Sequence, residues 1–314
     1  MSALTNLSSL TTIVADTADF ELLKKHPVTD ATTNPSLILA ASQTSGYTDI
    51  MAQGKAAIAQ GRDTQSVVQS ILAKVGQKIL EIVPGRVSAE VDARLSFDTQ
   101  ATISYAYKLI EAFAELGVDQ QRVLIKIAST WEGLAAAKYL EEQNIHCNMT
   151  LIFHHEQALV AAENGATLVS PFVGRILDFY KANNPDTDYS GAADPGVRSV
   201  QDIYASLKGQ DYKTQIMAAS FRNTDQIFQL AGTDLMTISP SLLDELNTSQ
   251  DQVNATLKIA EVKSIAVRKS VNHQQREAAF RWQMNQDPMS TTKLADGIRR
   301  FAADQVTFEK ALIA

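Results

Sequence analysis

One lysine stands where an apolar strand should be uninterrupted. Lys126 lies in RVLIKIAST (122–130), which runs directly into the helical pattern WEGLAAAKYL (131–140). Strand alternation sends Leu124, Lys126 and Ala128 to one face and Val123, Ile125 and Ile127 to the other. The three β-branched residues suit a face that packs on helices, so Lys126 is predicted to point inward. Burial disfavours an ammonium group and lowers its pKa. A lysine that is neutral at working pH is a nucleophile and condenses with carbonyl compounds to give a Schiff base. The alternative is a buried ion pair with Glu90 that serves stability alone, although such pairs are often no better than apolar packing.

Two carboxylates could work with that amine. Glu90, in SAEVDAR (88–94), alternates inward with Ser88 and Asp92. It could hold or protonate a water beside the lysine, or be the counter-ion of Lys126 or Arg94. Asp16 ends the run in VADT (14–17). There it either caps the helix that follows, the commoner role, or faces the lysine and takes a proton from a hydroxyl. Arg175 and Arg222 lie near the starts of helical segments, where a cation opposes the helix dipole unless an anion joins it. A phosphate would resolve that conflict, with Ser220 as a further donor. A solvated arginine or a local ion pair is the plainer reading of each.

Other motifs are weaker. HHE (154–156) lacks the i, i+4 spacing of a zinc helix, so His154 and His155 read as a helix start. GKAAIAQG (54–61) lacks P-loop spacing, and no GxGxxG follows a strand pattern. Cys147 begins a strand pattern and reads as core.

The elements that must position these residues are legible as alternation. Eight β-rich runs, at 11–17, 28–34, 86–93, 122–129, 146–153, 166–173, 214–221 and 234–240, are separated by helical patterns such as 98–117 and 156–165. That order predicts a parallel sheet, and about eight units predict a (β/α)8 TIM barrel of the α/β class. Extra helices are expected over about 37–83. The C-terminal tail is expected to be a helix packed on the barrel or a subunit contact, with a lid over the site as the alternative. Ser129 with Glu132 fits a capping box, and Gly117, Gly165 and Gly232 fit helix stops. The irregular loop 183–196 reads as an excursion, so residues 1–314 are expected to form a single domain. In such barrels chemistry sits at the C-terminal strand ends. The polar residues there are Asp16, Asn34, Glu90, Lys126, Asn148 with Thr150, Ser170, and Ser220 with Arg222.

Composition narrows the partners. With 28 basic and 35 acidic residues the net charge is −7, and no Lys/Arg run appears, which argues against nucleic acid. No apolar run approaches the roughly 20 residues that span a bilayer. One cysteine rules out an internal disulfide, and the N-terminal segment lacks the pattern of a signal peptide. A cytoplasmic protein without membrane partner is expected.

At these residues the sequence resembles the transaldolases, Schiff-base-forming enzymes of the pentose phosphate pathway, in their larger bacterial and eukaryotic type. The matching segments include TDATTNPSLIL (29–39), VPGRVSAEVDARLSFDT (83–99), LIKIASTWEG (124–133), CNMTLIF (147–153), SPFVGRILDFYKAN (170–183), AASFRN (218–223) and NQDPMSTTKLADGIRRFA (285–302), in order along nearly the whole chain. The resemblance implies roles. Lys126 is the Schiff-base nucleophile and Asp16 the acid/base at the C4 hydroxyl. Glu90 and Thr150 hold the catalytic water. Asn34, Asn148 and Ser170 orient the dihydroxyacetone part. Arg175, Ser220 and Arg222 bind phosphate. Phe172 marks transfer over simple cleavage, the related aldolases having Tyr there. Sugar phosphates are the implied substrates, a homodimer the implied assembly, and no cofactor or metal is required. Fructose 6-phosphate aldolase-like cleavage and a catalytically silent phosphosugar-binding protein are the alternatives.

Overall fold

The computed structural model describes residues 1–267 and 272–314. Each apolar run of the sequence holds one short strand: β1 (Thr12–Asp16), β2 (Asp30–Thr32), β3 (Val87–Glu90), β4 (Val123–Ala128), β5 (Cys147–Ile152), β6 (Leu168–Pro171), β7 (Gln215–Ala218) and β8 (Leu235–Ile238). They pair in sequence order, all parallel, and β8 returns to β1 to close a (β/α)8 barrel. Closure removes every sheet edge.

Both faces of the strands are buried, which is why the runs read as continuous apolar stretches. On β4 the outward residues Val123, Ile125 and Ile127 join the large core between sheet and helices. The inward Leu124 joins Val14, Leu168, Met217 and Leu235 in a separate cluster inside the barrel. Lys126 is the next inward residue on β4, so it stands on this apolar plug, toward the C-terminal ends of the strands. Its register neighbours are Glu90 on β3 and Asn148 on β5.

The pairing of β5 with β6 shifts between Met149 and Ile152, where Leu151 adopts φ +56°. A left-handed conformation costs a leucine roughly 1–2 kcal/mol. The bulge sends the Leu151 side chain into a second apolar cluster with Phe153, Phe172, Ile298 and Phe301.

The extra segment after β2 forms three helices, Pro35–Ala41, Thr48–Ala59 and Thr64–Leu80. The irregular loop 183–196 lies between two helices of the β6–β7 connection, Gly174–Asn183 and Pro195–Gly209. Gly117 and Gly165 follow their helices with φ +72° and +79°, as C-terminal stops. The cap before Trp131–Glu142 differs from expectation. Thr130, not Ser129, is the N-cap, and its hydroxyl accepts from Gly133 N at 2.9 Å. Ser129 instead donates to Thr150 O at 2.8 Å, tying β4 to β5. The sequence holds two adjacent hydroxyls, and the longer strand leaves only the second in cap position. His154 begins the helix His155–Glu163 as its N-cap, with Gln157 completing a capping box.

The tail forms two helices, His273–Gln286 and Pro288–Ile313. Asp287 caps the second by accepting from Met289 N at 3.0 Å, and Pro288 begins it without an N–H. That long helix is fastened across the C-terminal end of the barrel by Ser36–Asp304, by Arg94–Glu309 and by Ser290 donating to Phe153 O. Among the described residues no helix is long and apolar enough to cross a membrane.

Candidate active site

Lys126 is 4% exposed, and its Nζ donates to Thr33 O at 3.1 Å. The same Nζ lies 3.2 Å from Glu90 Oε2. Glu90 is therefore the lysine's counter-ion and not that of Arg94, which pairs with Asp92 and Glu309. Asp16 does not cap the following helix. Asp19 does, accepting from Glu21 N and Leu22 N. Asp16 instead lines the same cavity as Lys126 and accepts a hydrogen bond from Thr32 Oγ1 at 3.1 Å. Burial raises the pKa of Asp16 above the usual carboxylate range, against the opposing pull of Lys126, Thr32 and Arg175. Burial raises Glu90 likewise, with Lys126 again the chief influence in the other direction.

The polar residues of the neighbouring strands divide into those facing the cavity and those behind it. Thr150 and Ser170 line it; Asn148 and Glu90 stand behind. Asn148 is fixed between strands, donating to Ser88 Oγ at 3.0 Å and accepting from Ser170 Oγ at 2.6 Å. Asn34 lines the cavity from just past β2 and doubles as the N-cap of Pro35–Ala41, its Oδ1 accepting from Leu37 N at 3.0 Å. Its amide Nδ2 has no protein acceptor among the hydrogen bonds described. Two buried oxygens keep bonding capacity: Thr150 Oγ1 has no hydrogen-bond partner, and Glu90 Oε2 has only its ion pair with Lys126. They belong to β3 and β5, the strands on either side of the lysine's, and both can bond a water or a substrate hydroxyl.

The opposite end of the cavity is cationic. Gly174 N donates to Ser220 O at 2.8 Å, joining the ends of β6 and β7. Only glycine permits this, since a Cβ on Gly174 would sit 2.3 Å from that oxygen. Ser220 itself has φ +63°. Arg175 and Ser220 line the cavity. Arg222 stands beside it, paired with Asp178 at 2.7 Å, while its Nη1 reaches Ser220 Oγ at 3.3 Å. Among the described residues no carboxylate lies within ion-pair distance of Arg175. Burial lowers its pKa, and the neighbouring cations Arg300 and Arg222 lower it further. An anion at this end would oppose both effects by stabilising the charged guanidinium.

Four participants escaped the sequence reading. Thr32 and Thr237 share a hydrogen bond of 2.7 Å and line the cavity. Alternation along β8 could have found Thr237, two residues beyond the inward Leu235. Phe301, a cavity wall, and Arg300, a cation nearby, come from the C-terminal helix, where no local signal marks them.

A buried amine between two carboxylates, with a cationic end beside it, can form a Schiff base with a carbonyl compound and anchor an anionic tail. Comparison with known proteins gives the family. The family model described as transaldolase/fructose-6-phosphate aldolase matches residues 13–312. A transaldolase of Pseudoalteromonas atlantica is 49% identical over 98% of this chain and 96% of its own length. One from Protochlamydia amoebophila is 48% identical over 98% of this chain and 96% of its own. A probable transaldolase of Drosophila melanogaster is 48% identical over 99% of this chain and 95% of its own. With the lysine, its carboxylates and the cationic end all set at the strand ends of one closed barrel, the chain belongs to the transaldolase/fructose-6-phosphate aldolase family.

Proposed function

We propose that the chain is a transaldolase of the non-oxidative pentose phosphate pathway, transferring dihydroxyacetone from a ketose phosphate to an aldose phosphate through a Schiff base on Lys126. The donors are sedoheptulose 7-phosphate and fructose 6-phosphate, the acceptors glyceraldehyde 3-phosphate and erythrose 4-phosphate. The observation that carries this reading is Lys126, buried 3.2 Å from Glu90 in the cavity that Asp16 also lines.

Lys126 Nζ attacks the C2 carbonyl of the ketose. The carbinolamine hydroxyl leaves as water, protonated through Glu90, and Thr150 Oγ1 supports that water; the open Thr150 Oγ1 and the Glu90 carboxylate beside the lysine favour this assignment. The iminium draws electrons from the C3–C4 bond as Asp16 takes the C4 hydroxyl proton, and the aldose phosphate leaves. A carboxylate raised in pKa by burial is the stronger base for this step. The enamine left on Lys126 attacks the acceptor aldehyde, Asp16 returns its proton to the new alkoxide, and water releases the product ketose. Asn34 through its amide, Ser170 and the strand-fixed Asn148 orient the three-carbon unit. Arg175, Ser220 and Arg222 hold the phosphate, binding energy applied far from the reacting bond.

Phe172 lines the cavity and adds no hydroxyl to it. That favours transfer over release of free dihydroxyacetone, which product analysis with and without acceptor separates. The core shared by residues from Ala3 to Leu312 supports a single domain. The resemblance supports a cytoplasmic homodimer, and sedimentation tests the assembly.

Borohydride reduction in the presence of fructose 6-phosphate, followed by peptide mass mapping, tests the mechanism. A reduced three-carbon adduct on Lys126 is expected. Folded protein with no adduct there would leave Lys126 a structural cation and favour a silent binding protein.

A further inference from the structure

The chemistry at Lys126 leaves open what holds Arg175 in place. The cations Arg300 and Arg222 repel it, and the carboxylates Glu90 and Asp16 attract it from the lysine's end without an ion-pair contact. What it does meet are aromatic faces. Its guanidinium carbon lies 5.0 Å from the centroid of Phe172 and 5.5 Å from that of Phe301. Phe172 belongs to the end of β6, whereas Phe301, 1% exposed, arrives from the helix Pro288–Ile313. The helix can come this near because of Gly297, one turn earlier. A Cβ there would sit 2.7 Å from Leu151 Cδ2 and 3.4 Å from Arg175 Nη1.

The choice of partner matters. A carboxylate would occupy the N–H donors of the guanidinium and compete with an arriving anion. A ring that receives the cation over its face takes none of those donors. Attraction to the ring is strongest in desolvated sites such as this one.

We infer that Phe301 is a positioning residue for the substrate phosphate: with Phe172 it holds Arg175 so that its donors stay free for an anion, and it makes the C-terminal helix part of the preference for phosphorylated sugars. The inference rests on the transaldolase reading and adds a residue to it. The plainer role for Phe301 is apolar packing with Leu151, Phe153 and Ile298.

Phe301→Leu keeps apolar bulk and removes the ring; Phe301→Tyr keeps the ring. Steady-state rates are measured with a saturating ketose phosphate donor and either erythrose 4-phosphate or erythrose as acceptor, alongside melting temperature and borohydride trapping. In Phe301→Leu the ratio of kcat/KM for the phosphorylated over the unphosphorylated acceptor should fall about tenfold, chiefly through KM, a factor within the range of a buried cation–π contact. Inorganic phosphate should become a correspondingly weaker inhibitor. Phe301→Tyr should hold the ratio within about threefold. An unchanged ratio in Phe301→Leu, or equal loss with both acceptors and a lower melting temperature, overturns the inference. Should Phe301→Leu not fold, Phe301→Met, which adapts to irregular core space, carries the same comparison. Wild-type protein that forms the Lys126 adduct yet shows no preference for the phosphorylated acceptor also overturns it. Wild-type protein without the adduct overturns the reading beneath it.

Discussion

Replacing Lys126 with Met keeps an unbranched side chain one heavy atom shorter and removes the charge from beside two buried carboxylates. At 3.2 Å, the Lys126–Glu90 attraction amounts to about 5 kcal/mol at an effective dielectric of about 20. Removing one partner of a buried pair typically costs roughly 3–5 kcal/mol, because the other is left uncompensated. Here the partner can escape by taking a proton. Glu90 and Asp16 are already raised by burial, and Lys126 is the largest influence holding each down, so its loss raises both further. A carboxyl whose pKa is higher in the folded chain than in the unfolded one makes the folded state bind more protons. Stability then falls as pH rises from the unfolded value, near 4, through the folded one. In Lys126→Met that window extends upward, each further unit of rise corresponding to 1.36 kcal/mol. Urea unfolding followed by circular dichroism should therefore find the variant about 3–5 kcal/mol less stable than the wild type at pH 8. At pH 5 it should lie within about 1–2 kcal/mol, since the carboxyls are then neutral at little cost. A penalty equal at the two pH values would refute the reasoning, because the carboxylates would then not feel the lysine that the mechanism couples them to.

Asp16→Asn should slow C3–C4 cleavage by about 10²–10⁴-fold. Borohydride should then trap the intact six-carbon ketose on Lys126, read by mass. The same variant removes a carboxylate that burial disfavours at neutral pH, so urea unfolding at pH 7 should show a gain of roughly 0.5–2 kcal/mol, a trade of activity for stability. Thr130→Ala should destabilise the fold by about 1 kcal/mol through loss of the cap on Gly133 N, and Thr130→Ser should restore it.

The inward lysine and the eight strands were legible in the sequence because they depend on short periods. Alternation with period two placed Val123, Ile125 and Ile127 against the helices and Lys126 inside, and the β/α order left few topologies to consider. The strand-end rule then brought Asp16, Asn34, Thr150 and Ser170 to one cavity. What alternation could not settle was which of two adjacent hydroxyls, Ser129 or Thr130, caps a helix. That depended on where pairing with β5 ends and on Thr150 O being there to accept from Ser129. Nor could it tell whether Asp16 caps a helix or faces the lysine, since Asp19 lies three residues on and serves as a cap equally well. The aromatic setting of Arg175 and the approach of Phe301 belong wholly to the tertiary structure. They join residues far apart in the chain through the close seat of Gly297 on Leu151, and a contact of that kind leaves no period in the sequence.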